Sequence, residues 1–118
     1  MSSRSEALLL LDIIDNAERI GLYVQGLDLP AFEADPMRID AVERCLMRLT
    51  EAAIRMGPER MTQIAPDLPM RQVRGLGNRL RHAYELIDLH TIWDTATTSV
   101  PALREACGAA LEGTGNAE

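Results

Sequence analysis

The chain contains no lysine: all 12 of its basic residues are arginines. Wherever a phosphate or carboxylate is met, it is met by a planar guanidinium that can donate two parallel hydrogen bonds, not by an ammonium point charge. A biased genomic base composition produces the same usage, so this absence alone assigns no function. Positive charge is scarce as a whole. With 18 acidic residues the formal net charge is -6, which excludes a protein that coats nucleic acid by bulk electrostatics, because such binding rests on Lys and Arg neutralising phosphates. Any nucleic-acid contact has to be local.

Aromatic residues are also few, at 3% of the chain, and the 47% hydrophobic content is carried by Leu, Ile, Ala and Met. That composition favours helices over sheets. Cys45 and Cys107 lie far apart with no CxxC and no His/Cys cluster, which signals neither a zinc site nor a disulfide framework and fits a reduced cytoplasm. Long apolar runs are missing too: Asp12 and Asp15 interrupt "SEALLLLDIIDNAERI" before it reaches a bilayer-spanning length or the form of a signal peptide. A soluble helix is expected there, with no membrane partner. At 118 residues the chain is long enough for one core and too short for two ordinary domains. Residues 1–112 are expected as a single helical domain and 113–118 as a flexible tail.

What is present is a series of punctuated helical patterns. From Arg4 to Val24, a stripe of Leu10, Ile13, Ile14, Ala17, Ile20, Gly21 and Val24 follows the helical period. "QGLDLPAFEADP" reads as a loop broken by Gly26, Pro30 and Pro36, with Asp35 placed to cap the next helix and Pro36 in its first turn. That helix, Pro36 to Met56, sets Ile39, Val42, Leu46, Leu49, Ala53 and Met56 at steps of three and four. Gly57 and Pro58 end it, and "PERMTQIAPDLP" has room for one short helical piece. A third long helix is predicted over 69–86, with Val73, Leu76, Leu80, Ala83 and Ile87 inward; a fourth starts near Asp88 with Ile92 and Trp93 as anchors, and Pro101 opens a fifth. The expected fold is all-α, an up-and-down bundle with short additional helices.

The back of the third helix concentrates chemistry. At about 100° per residue, Asn78 and His82 fall roughly 160° from Leu80, on either side of the face opposite the core stripe. Arg71, Arg74, Arg79 and Arg81 lie within eleven residues, a local positive patch on an acidic chain, and Tyr84 sits at the boundary with the apolar stripe. His82 is the side chain best suited to exchange a proton near neutral pH. An imidazole that moves a proton at a ribose oxygen, beside a guanidinium that stabilises charge on the phosphate, is a metal-independent route to phosphodiester cleavage. On spacing alone the same residues equally describe a solvated helix back, and Gly75 or Gly77 a close helix approach across a dimer interface. His90 reads as surface. Glu51 reads either as a surface residue at a stripe edge or as a partner in a polar site between helices.

The stretch "GLGNRLRHAYELIDLHTIWDT" resembles the signature region of the HepT-like proteins, HEPN-domain toxins, in which an Arg-polar segment leads to His, one residue, then Tyr. "RIDAVERCLMRLTEAA" is similar to the second helix of that family. The resemblance implies an HEPN-type helical bundle that homodimerises through its motif-bearing helices. It also implies a cofactor-free cytoplasmic endoribonuclease, the toxin of a type VII toxin-antitoxin pair, acting on RNA at the dimer cleft. A minimal nucleotidyltransferase is the implied antitoxin, transferring AMP from ATP to Tyr84. By the same resemblance His82 is the catalytic histidine and Asn78 the motif's polar residue.

One position departs from the pattern. Five residues before His82, where the family carries arginine, this chain has Gly77. The missing guanidinium is the one expected to hold the scissile phosphate, and removing such an oriented charge costs about two to three orders of magnitude in rate. Arg74 leans away from His82, since helix side chains tilt toward the N-terminus. Arg79, three residues before His82, ranks first as a substitute, ahead of Arg81, which diverges by about 100°, while a partner-chain arginine is a further source. Two functions follow: an RNA-cleaving toxin using His82, Asn78 and Arg79 or Arg81, or an impaired HEPN subunit that binds its nucleotidyltransferase or RNA without cutting. Restoring Gly77→Arg is the substitution that separates them.

Overall fold

The computed structural model describes residues 3–82 and 87–116. Among these residues it holds α-helices and one π-helical turn, with no strand. Helix α1, Ser3–Val24, buries Leu10, Ile13, Ala17 and Ile20, the centre of the predicted stripe, whereas Gly21 is exposed. Its C-terminal end is held from the next long helix: Arg38 Nη1 donates to the Tyr23 carbonyl at 2.9 Å while its Nε meets Asp35 Oδ2 at 3.0 Å.

The stretch expected as a loop contains a helix, α2, Leu29–Glu33. Asp28 caps it, accepting from the Ala31 N–H at 3.0 Å, and Pro30 stands in its first turn. One apolar residue, Phe32, makes so short an element worth forming. It is fully buried, its ring centroid 5.2 Å from that of Trp93.

Helix α3, Pro36–Met56, starts where Asp35 accepts from the Arg38 N–H at 3.2 Å. It buries Val42, Cys45, Leu46, Leu49, Ala52, Ala53 and Met56, and with them one polar side chain, Thr50. Gly57, at φ 92°, ends it by returning its N–H to the Ala53 and Ile54 carbonyls, a conformation that favours glycine. Helix α4, Pro58–Ile64, follows at once and is tied to the start of α1 by a two-pronged pair between Arg60 and Glu6, Nε–Oε1 at 2.5 Å and Nη2–Oε2 at 3.1 Å.

Helix α5, Met70–His82, buries Met70, Val73, Leu76, Gly77 and Leu80. The predicted extension through 83–86, including Ala83 and Tyr84, lies outside the described residues. Helix α6, Leu89–Asp94, is capped by Asp88, which accepts from the His90 N–H at 3.0 Å.

Pro101 does not open a separate helix. A π-helical turn, Thr95–Ser99, joins α6 to helix α7, Val100–Asn116, in one continuous run. Proline has no N–H for the i−4 carbonyl and its ring crowds that carbonyl; the wider turn just before it, with the Val100 N–H reaching back to the Thr95 carbonyl, relieves the crowding. Residues 113–116, expected in the tail, continue α7, since each residue added to an existing helix gains a hydrogen bond without a new nucleus.

Helix α1 packs most extensively on α3 and next on α7, and α3 in turn carries α5. No helix of the described residues is long and apolar enough to cross a membrane.

Candidate functional site on helix α5

Gly77 faces α3, not the back of α5. A Cβ built on it would stand 2.0 Å from Thr50 Oγ1, 2.4 Å from Thr50 Cβ and 2.7 Å from Thr50 Cγ2, so glycine is what lets the two helices approach here. The propensity penalty of a mid-helix glycine is thereby explained by packing within the chain, and the close approach foreseen across a dimer interface is, for Gly77, an approach to α3. An arginine at this position would drive its stem into α3.

The guanidinium at this junction comes from Arg81, one turn later. Its Nη1 donates to Thr50 Oγ1 at 3.1 Å and to the Met47 carbonyl at 3.2 Å, and its Nη2 donates to Asn78 Oδ1 at 2.5 Å. Glu51 Oε2 lies 3.8 Å from the same Nη1. Thr50 can accept because its own hydroxyl proton goes to the Leu46 carbonyl, 2.7 Å away. Glu51 is thus both things the sequence allowed: exposed, paired with Arg55 at 3.6 Å, and bordering a polar site between helices.

Taken at about 100° per residue from Gly77, Arg81 lies near 40°, Asn78 near 100° and His82 near 140° on one flank of α5. Asn78 and His82 are exposed and four apart, so their side chains are neighbours one turn above the other. Arg71 and Arg74 share that flank, whereas Arg79 is exposed about 60° beyond His82. The geometry therefore brings Arg81 to Asn78, while Arg79 stays the nearer of the two in angle to His82. His90 is exposed at the start of α6. Tyr84 lies outside the described residues.

The flank is distinct from a cleft of about 410 Å³ between α5 and the α6 to π-turn segment, lined by Gln72, Val73, Leu76, Thr91, Asp94 and Thr98 among others. Neither Asn78 nor His82 lines that cleft. Among the described residues, no group of three or more His, Cys, Asp or Glu is arranged to hold a metal ion.

Two residues that pattern reading did not single out, Thr50 and Met47, hold the Arg81 guanidinium. Thr50 had a signal: it is a polar residue inside the apolar stripe of α3, and a buried hydroxyl needs a partner. The Met47 carbonyl had none, because backbone acceptors leave no trace in side-chain identity.

An all-α bundle bearing an Asn/His flank on its third long helix is what the HEPN-type resemblance implies. The family model described as "Ribonuclease HepT-like" matches residues 13–110, and the chain belongs to that HepT-like ribonuclease family. Among the curated relatives, "Putative RNase MJ0125" of Methanocaldococcus jannaschii is 27% identical over 105 residues, 89% of this chain and 90% of that protein. "Probable ribonuclease HepT" of Thermococcus cleftensis is 28% identical over 101 residues, 86% of this chain and 91% of that protein. No solved structure matches the chain.

Proposed function

We propose that this chain is an RNA-cleaving toxin subunit that works from the Asn78/His82 flank of α5, with two copies apposed through these helices. The observation that carries the reading is the side-by-side exposure of Asn78 and His82 on a HepT-like chain, next to a guanidinium fixed on the same flank. In this mechanism His82 takes or returns a proton at a ribose oxygen, and the oriented donors beside it meet the charge that develops on the phosphate. The cognate antitoxin is a minimal nucleotidyltransferase that transfers AMP from ATP to the Tyr84 hydroxyl with release of pyrophosphate, adding a negative charge two residues after His82 in the chain.

The test is cleavage of a labelled RNA by the purified chain against a His82→Ala control. Cleavage should fall at least a hundredfold in the variant, and equal rates would sink the reading. Intact-mass analysis after incubation with the nucleotidyltransferase and ATP should show one AMP adduct that disappears in Tyr84→Phe; an unchanged adduct places the modification elsewhere.

A second reading, a subunit that binds but does not cut, is favoured by the packing at Gly77, which leaves no space for the family's arginine. Gly77→Arg alone no longer separates the two readings, since it would disturb the helix pair. Thr50→Gly/Gly77→Arg does, because it removes the three Thr50 atoms nearest to the new Cβ. A large gain of cleavage in the double variant over Thr50→Gly supports the impaired subunit. No gain supports a chain whose site already works without an arginine at position 77.

A further inference from the structure

We infer that Arg81 is a positioning residue for Asn78: it holds the Asn78 amide in one orientation, with Oδ1 inward and Nδ2 outward beside His82. Asn78 Nδ2 is then the donor offered to a phosphate oxygen. The inference deepens the ribonuclease reading and rests on it.

Three observations lead there. A guanidinium carries donors and no acceptor, so the amide atom 2.5 Å from Arg81 Nη2 is the oxygen, and the orientation of Asn78 follows from chemistry. Asn78 is exposed, so its remaining group, an NH₂ with two donors, meets solvent on the face that His82 shares. Finally, Arg81 is held from behind: Nη1 is engaged by Thr50 Oγ1 and the Met47 carbonyl on α3, and its side chain is only 22% exposed. A guanidinium fixed to the neighbouring helix acts as a clamp, where a free one would swing toward an incoming anion. Gly77 is what brings that helix within reach, because any side chain there would separate α5 from Thr50. The glycine in place of an arginine and the clamp at position 81 are thus parts of one arrangement.

The experiment is a double-mutant cycle on the full chain, read by single-turnover RNA cleavage and by the side-chain NH₂ resonances of Asn78, assigned from their loss in Asn78→Ala. Arg81→Ala and Asn78→Ala should each slow cleavage by about a hundredfold, and the double variant by about the same factor, because one acts through the other. Arg81→Lys, a donor without an acceptor, should recover part of the rate. Arg81→Gln, which can accept from the amide and let it turn over, should not. The Asn78 NH₂ resonances should move in Arg81→Ala and stay near their wild-type positions in Arg81→Lys.

Multiplied losses in the double variant would mean that Arg81 meets RNA itself, which overturns the inference. So would Asn78 resonances indifferent to Arg81→Ala. Wild-type protein that cuts no faster than His82→Ala would sink the ribonuclease reading and the catalytic part of this inference with it, while the resonances still decide whether the clamp exists.

Discussion

Helix α3 has two neighbours of opposite character. The packed body of α1, α3 and α7 is largely apolar, with Asn16 a buried polar exception on α1: Leu10, Ile13, Ile20, Val42, Leu46, Leu49 and Leu103 are each at most 1% exposed. The junction of α3 with α5 is closed by a glycine against a threonine and rimmed by an arginine, an asparagine and a glutamate. In the body, shape is filled by side chains that have alternatives of similar volume. At the junction, position depends on one missing side chain and on donors that must each find an acceptor. The flank proposed for function, a face that has to be held to a fraction of an ångström, lies beside the second kind of contact.

Four measurements would break or sharpen that contrast. Leu46→Ala should have the largest effect, a loss of about 3 to 4 kcal/mol in urea-induced unfolding, as for other buried leucines; a loss under about 1 kcal/mol would mean the body repacks freely. Gly77→Ala should cost about 2 kcal/mol even though alanine is the better helix former by roughly 1 kcal/mol. In a Thr50→Gly background the sign should reverse, and a stabilising Gly77→Ala in the wild-type chain would show that the two helices slide apart at little cost.

Cys107 provides the third test, within the body. Burial pushes its thiol up to about 11 from the ordinary value of 9.0. Because the folded value lies above the unfolded one, the contribution is fully present below pH 9.0 and is lost as pH rises through about 11. Unfolding free energy should drop by on the order of 2 kcal/mol across that window, and Cys107→Ala should flatten the drop. A profile equally steep in the variant would assign it elsewhere.

The smallest effect is at the surface. Arg104→Ala, which removes an exposed pair with Glu18 at 2.9 Å, should change stability by less than about 0.5 kcal/mol. Arg60→Ala should cost more, about 1 kcal/mol, since it breaks a two-pronged pair in which Glu6 is 16% exposed. Equal values would remove the distinction between a tether and an ornament.

The body was legible in the sequence because apolar spacing writes it there: α1, α3 and the α5 stripe through Val73, Leu76 and Leu80 were foreseen, whereas Ile87, expected on that stripe, lies beyond α5 and is only partly buried. Helix α2 was not, since it is five residues long, lies in a stretch punctuated by Gly26, Pro30 and Pro36, and has a single buried anchor, Phe32, that makes no period. Pro101 misled for a related reason: a proline signals a helix start, and a π-helical turn that admits it into a continuous run has no distinct signature. At the candidate site, Asn78 and His82 are exposed as their spacing opposite the core stripe implies. Gly77 was recognised as decisive, but read as a missing charge when its structural role is to admit Thr50. That Arg81 is held by a carbonyl and a hydroxyl of α3 could not be read from spacing within α5, which does not contain them.

The π-helical turn at Thr95–Ser99 bears on how family members are to be aligned. Ile92, Ala96 and Val100 are buried at successive steps of four, a drift that a regular α-helix would carry off the core face and that the wider winding corrects. Such a turn holds one residue more than an α-helix needs over the same span. A relative that lacks one residue between 95 and 99 would keep α6 and α7 facing as they do here, so a single-residue gap at this place is a silent length difference, whereas the same gap inside α3 or α5 would rotate every residue beyond it off its face.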